Sequence, residues 1–302
     1  IVKEGDDVKI GSPLFFNKVN PDVKWGSPAC GTVKTIEYGP RRIIQKIEIQ
    51  LNDSQESEKN KKYKNSEIIG LDREVVIETI LKANIFPFFR QRPFNVIPDP
   101  KVIPRDIFVS AINTAPLAFD QEIVIKENLE SFQAGVDVLN TLTSGKVYLT
   151  SKTGSVVSSI QNVESYTIDG PHPAGNVGIQ IHHISHLKPG ENVWTINSQD
   201  VIAIGKLFLH GRYDPMRVIT LAGPCVKEPG HFRVNAGAKI STITNGRIID
   251  DENRIISGDV LTGRVASHED FVSFYDYSIS VISDEVKREF VGMLNPGSSS
   301  SR

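Results

Sequence analysis

The chain has 302 residues, 39% of them hydrophobic and 23% charged, with 34 basic against 36 acidic residues and a formal charge of −2. This length supports about two domains, more if they are small, and the composition excludes a disordered, collagenous or coiled-coil chain. The near-balanced charge gives no electrostatic reason to bind nucleic acid or an anionic membrane, and the best apolar run, "IFVSAINTAPLAF" at 107–119, is too short to span a bilayer and carries Asn113 and Pro116.

Residues 1–50 read as short strands broken by glycine turns. Apolar residues alternate in "IVKEGDDVKIGSPLF" around Gly5 and Gly11, and in "GTVKTIEYGPRRIIQKIEIQL" around Gly39-Pro40. Period-two patterning with frequent turns predicts a small barrel or sandwich. Within it, "FFNKVNPDVKWGSPACGTV" has the outline of a biotinyl or lipoyl hairpin, with Lys18 near the attachment position. Asn17 and Val19 stand where methionines normally flank the modified lysine, so a purely structural barrel-sandwich module is the preferred reading. The polar stretch "DSQESEKNKKYKN" (53–65) then reads as a solvated linker.

From about residue 70 the period changes. "DREVVIETILKANIF" places Val76, Ile80 and Leu81 on one helical face, with Asp72 as N-cap. "IFVSA" (107–111) is a buried strand. "NLESFQAGVDVLNTLTSG" sets Leu129, Phe132, Val136, Leu139 and Leu142 at helical spacing, with Gly145 as the terminating residue, and "KVYLTS" follows as a strand. Strand, helix and strand make a βαβ unit and so a parallel sheet. From about residue 214 short strands return in "RVITLAG", "HFRVNAG", "RIISGDVLTG" and "FVSFYDYSISVI". "KEPG" (227–230) is expected to turn between the first two, and "AKISTITNG" to form one short helix across the sheet. That mixture predicts a β-grasp. The architecture expected is therefore α+β and multidomain: a barrel-sandwich module with its linker at 1–66, a Rossmann-like α/β domain without a phosphate loop at 67–213, and a β-grasp domain with a tail at 214–302.

The stretch "DGPHPAGNVGIQIHHISHL" (169–187) holds four of the seven histidines. His182 and His186 have the spacing of a helical zinc pair, but His183 occupies the place of the required glutamate and no nearby side chain completes four ligands. The alternating pattern predicts a strand here, with His182 and His183 on opposite faces. Gly170 and Gly175 match P-loop spacing, yet Asn176 and Val177 replace the lysine and hydroxyl that hold phosphate and magnesium. No G-x-G-x-x-G opens the βαβ helix, and no cysteine run holds an iron–sulfur cluster. Cys30 and Cys225 are the only cysteines and read as reduced thiols of a cytoplasmic protein. No signal peptide is expected, and Ile1 already lies inside a strand pattern, so an N-terminal portion is expected to precede it.

The collinear segments "RQRPFNVIPDP", "IFVSAINTAPLA", "FQAGVDVLNTLTSGKVYL", "GPHPAGNVG", "NSQDVIAIGKLF", "RIISGDVLTG" and "EFVGML" resemble, almost end to end, the A subunits of sodium-translocating NADH:quinone oxidoreductases. More distantly the chain is similar to the C subunit of the Rnf complex and the flavin-binding subunit of complex I. The resemblance implies a barrel-sandwich, a Rossmann-like and an SLBB-like β-grasp module in a protein without catalysis of its own. It implies docking to the pump's membrane subunits on the cytoplasmic face of the bacterial inner membrane, and a link to quinone binding. NADH oxidation, flavins and iron–sulfur centres would belong to partner subunits. His183 and His186 depart from the family pattern. An early part of the family's barrel, and whatever follows "GML", are expected to be missing, with "NPGSSSSR" an incomplete tail.

Two readings of the loop at Gly170, His172, Pro173, Gly175 and Asn176, with His182 beyond it, stand side by side. It follows the strand "ESYTID" and is stiffened by Pro171 and Pro173. It is either a rigid surface for quinone or a partner, or a tight turn packed on a neighbouring domain. Two other functions stay open: a free-standing carrier modified at Lys18, and a β-grasp binder of a small ligand such as a sugar or cobalamin.

Overall fold

The computed structural model describes residues 2–249 and 252–284; the segments "EFVGML" and "NPGSSSSR" lie outside them. Five strands open the chain: β1 (Asp7–Val8), β2 (Pro13–Phe16), β3 (Lys24–Gly26), β4 (Gly31–Tyr38) and β5 (Ile44–Leu51). β1, β4 and β5 form one antiparallel sheet, and β2 pairs with β3. The alternation read in the sequence sends Val8, Leu14 and Val33 into a small core with Ile36, Ile47 and Ile49. Cys30 is buried and Cys225 partly so, both as free thiols. The 53–65 stretch keeps its charged side chains largely in water, but it is not slack. Glu56 O accepts from Ile10 N (2.9 Å), Asn60 N donates to Gly211 O (2.8 Å), and Tyr63 N donates to Phe208 O (2.9 Å). The Tyr63 ring is buried against Phe208. Polarity of side chains alone did not reveal that the backbone was tied down.

The middle of the chain contains α1 (Asn65–Ile68), α2 (Arg73–Lys82), β6 (Arg90–Arg92), β7 (Ile107–Ser110), α3 (Gln121–Glu127), α4 (Leu129–Leu142), β8 (Val147–Ser151), β9 (Glu164–Thr167), α5 (Val177–Ser185), β10 (Val193–Asn197) and α6 (Ser198–His210). The sheet order is β6-β10-β7-β8-β9. All neighbours are parallel except β6, which runs antiparallel on the edge. Residues Ile107, Val109 and Trp194 point to a core shared with α2, α4 and α6, while Phe108 and Val193 point to the other face, under α5. Coverage on both faces explains why "IFVS" and "VWTI" are nearly continuously apolar. Each fully buried Phe, Leu or Ile contributes about 1.5–3 kcal/mol of transfer free energy.

Two local expectations change, and a third holds in position. Asp72 does occupy the N-cap of α2, but its side chain makes no capping hydrogen bond. Gly145 does not end α4, which stops at Leu142 with Thr143 extended. Gly145 is small for another reason: a Cβ there would lie 2.1 Å from the Arg105 carbonyl oxygen. The stretch "VGIQIHH" is helical, not a strand, so His182 and His183 are neighbours on one exposed helix surface. Val177, Ile181 and Ile184 satisfy a helical period and pack on Phe108 and Val193, whereas Ile179 is left 39% exposed.

The last module comprises β11 (Met216–Ala222), β12 (Gly230–Asn235), α7 (Ile240–Thr244), β13 (Asn253–Ser257), β14 (Arg264–Ala266) and β15 (Ser278–Ser283), ordered β12-β11-β15-β13-β14. β11 and β15 are parallel at the centre, and α7 packs Ile240 and Ile243 on Leu221, Ile279 and Val281, as expected of a β-grasp. The hydrogen-bonded turn after β11 is Gly223–Val226, where Val226 N reaches Gly223 O at 3.1 Å. "KEPG" is drawn out beside Arg247, whose carbonyl accepts from Lys227 N (2.7 Å).

Candidate functional site

A change of direction in the α/β sheet creates the first cavity. The chain runs β7, β8, β9 outward and then returns to place β10 on the other side of β7. Connections that diverge in this way leave a crevice beyond the carboxyl ends of the two central strands. Here it is a cleft of about 620 Å³ between Ser110 and Asn113 on the β7 side, Asn197 on the β10 side, and Asp259 and Tyr275 of the β-grasp. The β7-to-α3 connection, residues 111–120, contains no glycine. The seat a dinucleotide normally uses is therefore not built in this loop.

The 170–178 loop forms one wall. Thr114 Oγ1 accepts from Gly175 N (2.8 Å) and lies 3.3 Å from His172 Nδ1. A Cβ on Gly175 would sit 2.5 Å from Thr114 N, so only glycine allows this approach. Gln180 fixes the loop from below: its Nε2 donates to Gly175 O and its Oε1 accepts from Thr150 Oγ1. Of the residues singled out in the sequence, the structure brings His172, Gly175 and Asn176 to the cleft. Gly170 and Pro173 are exposed and shape the turn outside it. His182 is also outside, on solvent-facing helix surface, with its ring 5.1 Å from that of His183. Among the described residues no cluster of three His, Cys, Asp or Glu side chains is arranged to hold a metal. Lys18 stands exposed in the loop joining β2 to β3.

Sequence reading passed over two charged groups. At the junction of α6 with the β-grasp, Arg217 Nη2 donates to Asp200 Oδ1 and the Tyr277 hydroxyl donates to Asp200 Oδ2, both at 2.8 Å. The Arg217 guanidinium stacks on Tyr277, Phe88 and Phe274. Burial pushes the Asp200 carboxyl up, opposed by Arg217. Burial would lower the Arg217 guanidinium, but Asp200 and the neighbouring tyrosines outweigh it and hold it above its ordinary value. Burial also pushes the Tyr213 hydroxyl up to about 12. Beside this pair, Gln199 clamps β11 onto α6 through two hydrogen bonds with the backbone of Val218 (2.9 and 3.0 Å). The second missed group is Arg90 and Arg92 on edge strand β6, both lining the cleft. The signal was present: no acidic residue occurs from Thr79 to Pro98.

A second cavity differs in character. Between barrel strand β5 and the β-grasp runs a groove of about 980 Å³, lined by Phe15, Trp25, Ile47, Leu51, Val265 and Phe271 among others. Phe15 and Trp25 stack with centroids 4.6 Å apart. Leu51 and Val265 on the rim are 55% and 71% exposed. Lys46, Arg233, Lys239, Arg264 and Asp270 also line the groove, so it is mixed in character, with more apolar than charged side chains.

Barrel, Rossmann-like and β-grasp modules in this order define a class of multidomain scaffold whose α/β sheet lacks the usual glycine loop. A solved NAD+-reducing [NiFe]-hydrogenase shares this fold over 74% of this chain and 49% of its own, with a TM-score of 0.52 and 11% identity. Residues 1–52 match the family model of the NqrA N-terminal barrel-sandwich hybrid domain, 71–213 the NqrA second alpha/beta domain, and 218–268 the NQRA C-terminal domain. Curated relatives, each the A subunit of a Na(+)-translocating NADH-quinone reductase, include those of Pasteurella multocida (39% identical), Mannheimia succiniciproducens (40%) and Neisseria meningitidis (40%). Each alignment covers 98% of this chain, and the chain spans 67%, 66% and 66% of these relatives' lengths. The chain belongs to the NqrA family, the A subunits of Na(+)-translocating NADH-quinone reductases. Among the described residues no helix is long and apolar enough to cross a membrane.

Proposed function

We propose that the chain is a peripheral component of a respiratory sodium pump, held by the pump's membrane subunits at the cytoplasmic face of the bacterial inner membrane, and that it contributes to quinone binding. The observation that carries the quinone assignment is the groove between barrel and β-grasp. A quinone presents a flat ring and an isoprenoid tail, and it gains affinity mainly by burying apolar surface. The stacked pair Phe15 and Trp25 offers a ring-sized apolar wall, and Leu51 and Val265 extend it to the rim. The sheet-end cleft has fewer apolar side chains in its lining than the groove, which suits an isoprenoid less well.

The chain holds two tryptophans, and Trp194 is fully buried at the α/β core. Trp25 is thus a built-in reporter for the groove. A short-tailed ubiquinone is expected to quench it saturably, and Leu51→Asp or Val265→Asp is expected to weaken binding by about tenfold. Quenching that rises linearly without saturation, or that neither substitution changes, would remove the quinone assignment.

The same proposal makes the chain catalytically silent alone, with NADH, flavins and iron–sulfur centres handled by its partners. Its support is the glycine-free connection after β7 and the Asn176-Val177 pair where a phosphate loop needs Lys and Ser or Thr. The purified protein is expected to show no flavin absorption and no NADH:quinone turnover. A stoichiometric flavin spectrum would overturn this part.

A further inference from the structure

We propose that the cleft at the carboxyl end of the α/β sheet binds a small phosphate-bearing anion through Arg90 and Arg92. The two residues alternate on β6, so their side chains leave the same face of the sheet, and both line the cleft. Neither has a carboxylate within ion-pair distance among the described residues. Arg90 meets neutral acceptors, Asn95 and the Tyr275 hydroxyl, and stacks on the Tyr275 ring with its guanidinium carbon 4.9 Å from the centroid. Arg92 is half-buried, and its Nε is sealed from solvent without a hydrogen-bond partner among the described residues.

Such an arrangement is costly by itself. Burial lowers the Arg92 guanidinium, and the adjacent Arg90 charge lowers it further. Two like charges are held side by side in a partly desolvated crevice, and an anion between them would relieve both effects. The acids on the cleft wall do not serve this purpose. Asp200 is taken by Arg217 and Tyr277. Asp259 accepts from Leu261 N, Thr262 N and Thr262 Oγ1. Asp276 accepts from Ser257 Oγ at 2.7 Å.

The facing wall adds donors of the right type. The first turn of α5, nine residues long, lines the cleft with Val177 and Gly178, whose backbone N–H groups have no backbone partner among the described residues. The Asn176 side chain makes no capping bond. A guanidinium fork opposite helix N–H groups suits the several oxygens of a phosphoryl group, and the absence of a glycine loop limits the site to something smaller than a dinucleotide. The quinone groove is a separate cavity, so failure of either assignment leaves the other intact.

The test is isothermal titration of the purified protein with inorganic phosphate and, separately, a nucleoside monophosphate, each against sodium chloride of matched ionic strength. Saturable binding is expected for at least one of them, and the two arms distinguish free phosphate from a phosphate ester. Arg92→Gln and Arg90→Gln are each expected to weaken it by about tenfold or more. Lys146→Gln, at the opposite end of the sheet, should leave it unchanged. Should Arg92→Gln fail to fold, the more accessible Arg90→Gln carries the test. Heats that match chloride, or affinities equal in wild type and Arg90→Gln, would overturn the proposal.

Discussion

Arg217→Ala is expected to destabilise the protein by about 3–5 kcal/mol, the usual cost of leaving one partner of a buried ion pair behind. Arg217 and Asp200 are 6% and 3% exposed, and beyond Arg217 the Asp200 carboxylate is held by the Tyr277 hydroxyl. Removing the guanidinium also removes the central element of a cation–π stack on Phe88, Phe274 and Tyr277. The loss has a pH signature. Burial already pushes the Asp200 carboxyl up in the intact protein, and without Arg217 its main opposing charge is gone. A folded-state pKa above the unfolded one means that stability is present at low pH and lost as pH rises through the folded value. Urea unfolding of the variant should therefore give a smaller deficit at acid pH than at neutral pH. Asp200→Asn in the same background should recover part of the loss. A variant within about 1 kcal/mol of wild type would mean that water reaches this junction and the pair is effectively a surface one.

Gly205→Ala is expected to cost about 3 kcal/mol, the upper end of ordinary overpacking, with a fall of about 6–12 °C in the melting midpoint. A Cβ at Gly205 of α6 would lie 1.8 Å from the Ser131 carbonyl oxygen and 2.9 Å from Gly135 N, both backbone atoms of α4. The reverse notch is as tight: a Cβ at Gly135 would lie 2.2 Å from the Val201 carbonyl oxygen. No rotamer change can relieve a clash with backbone, so the two helices must separate and loosen the core around Phe132, Val136 and Val201. Gly178→Ala in α5 is the contrast. Its added Cβ meets nothing within 4 Å, and better helix propensity should make the change neutral or slightly stabilising. Differential scanning calorimetry separates the cases. Equal melting points for Gly205→Ala and wild type would show that the helices do not meet in this notch.

Much of the architecture was legible in the chain because it follows from local rules. Period-two alternation marked the barrel and the β-grasp. The spacing of Leu129, Phe132, Val136, Leu139 and Leu142 marked α4; the last four are fully buried, while Leu129 at the helix start is 37% exposed. The β7–α4–β8 unit came out parallel, as a strand–helix–strand pattern requires. The 170–178 loop was singled out from its prolines and glycines; His172, Gly175 and Asn176 line a cleft, whereas Gly170, Pro173 and His182 do not.

What the sequence could not decide was anything that depends on a distant neighbour. "VGIQIHHIS" read as a strand from its alternation, and that reading was wrong. It became a helix because the sheet face bearing Phe108 and Val193 needed a cover, which Val177, Ile181 and Ile184 supply at helical spacing. Gly145 looked like a helix terminator until the Arg105 carbonyl was found beside it. The charges of Arg90 and Arg92 were plain to read, but the cleft they enter exists only because β6 pairs with β10, a hundred residues later. Asp200 and Arg217 were passed over in the sequence, because their burial and pairing arise only where the β-grasp packs on α6. Local periodicity is set by each segment's own side chains, so the sequence determined the modules and their order. Burial, close approach and charge pairing are set by what packs opposite, so the two cavities and the junction between modules were decided by tertiary structure alone.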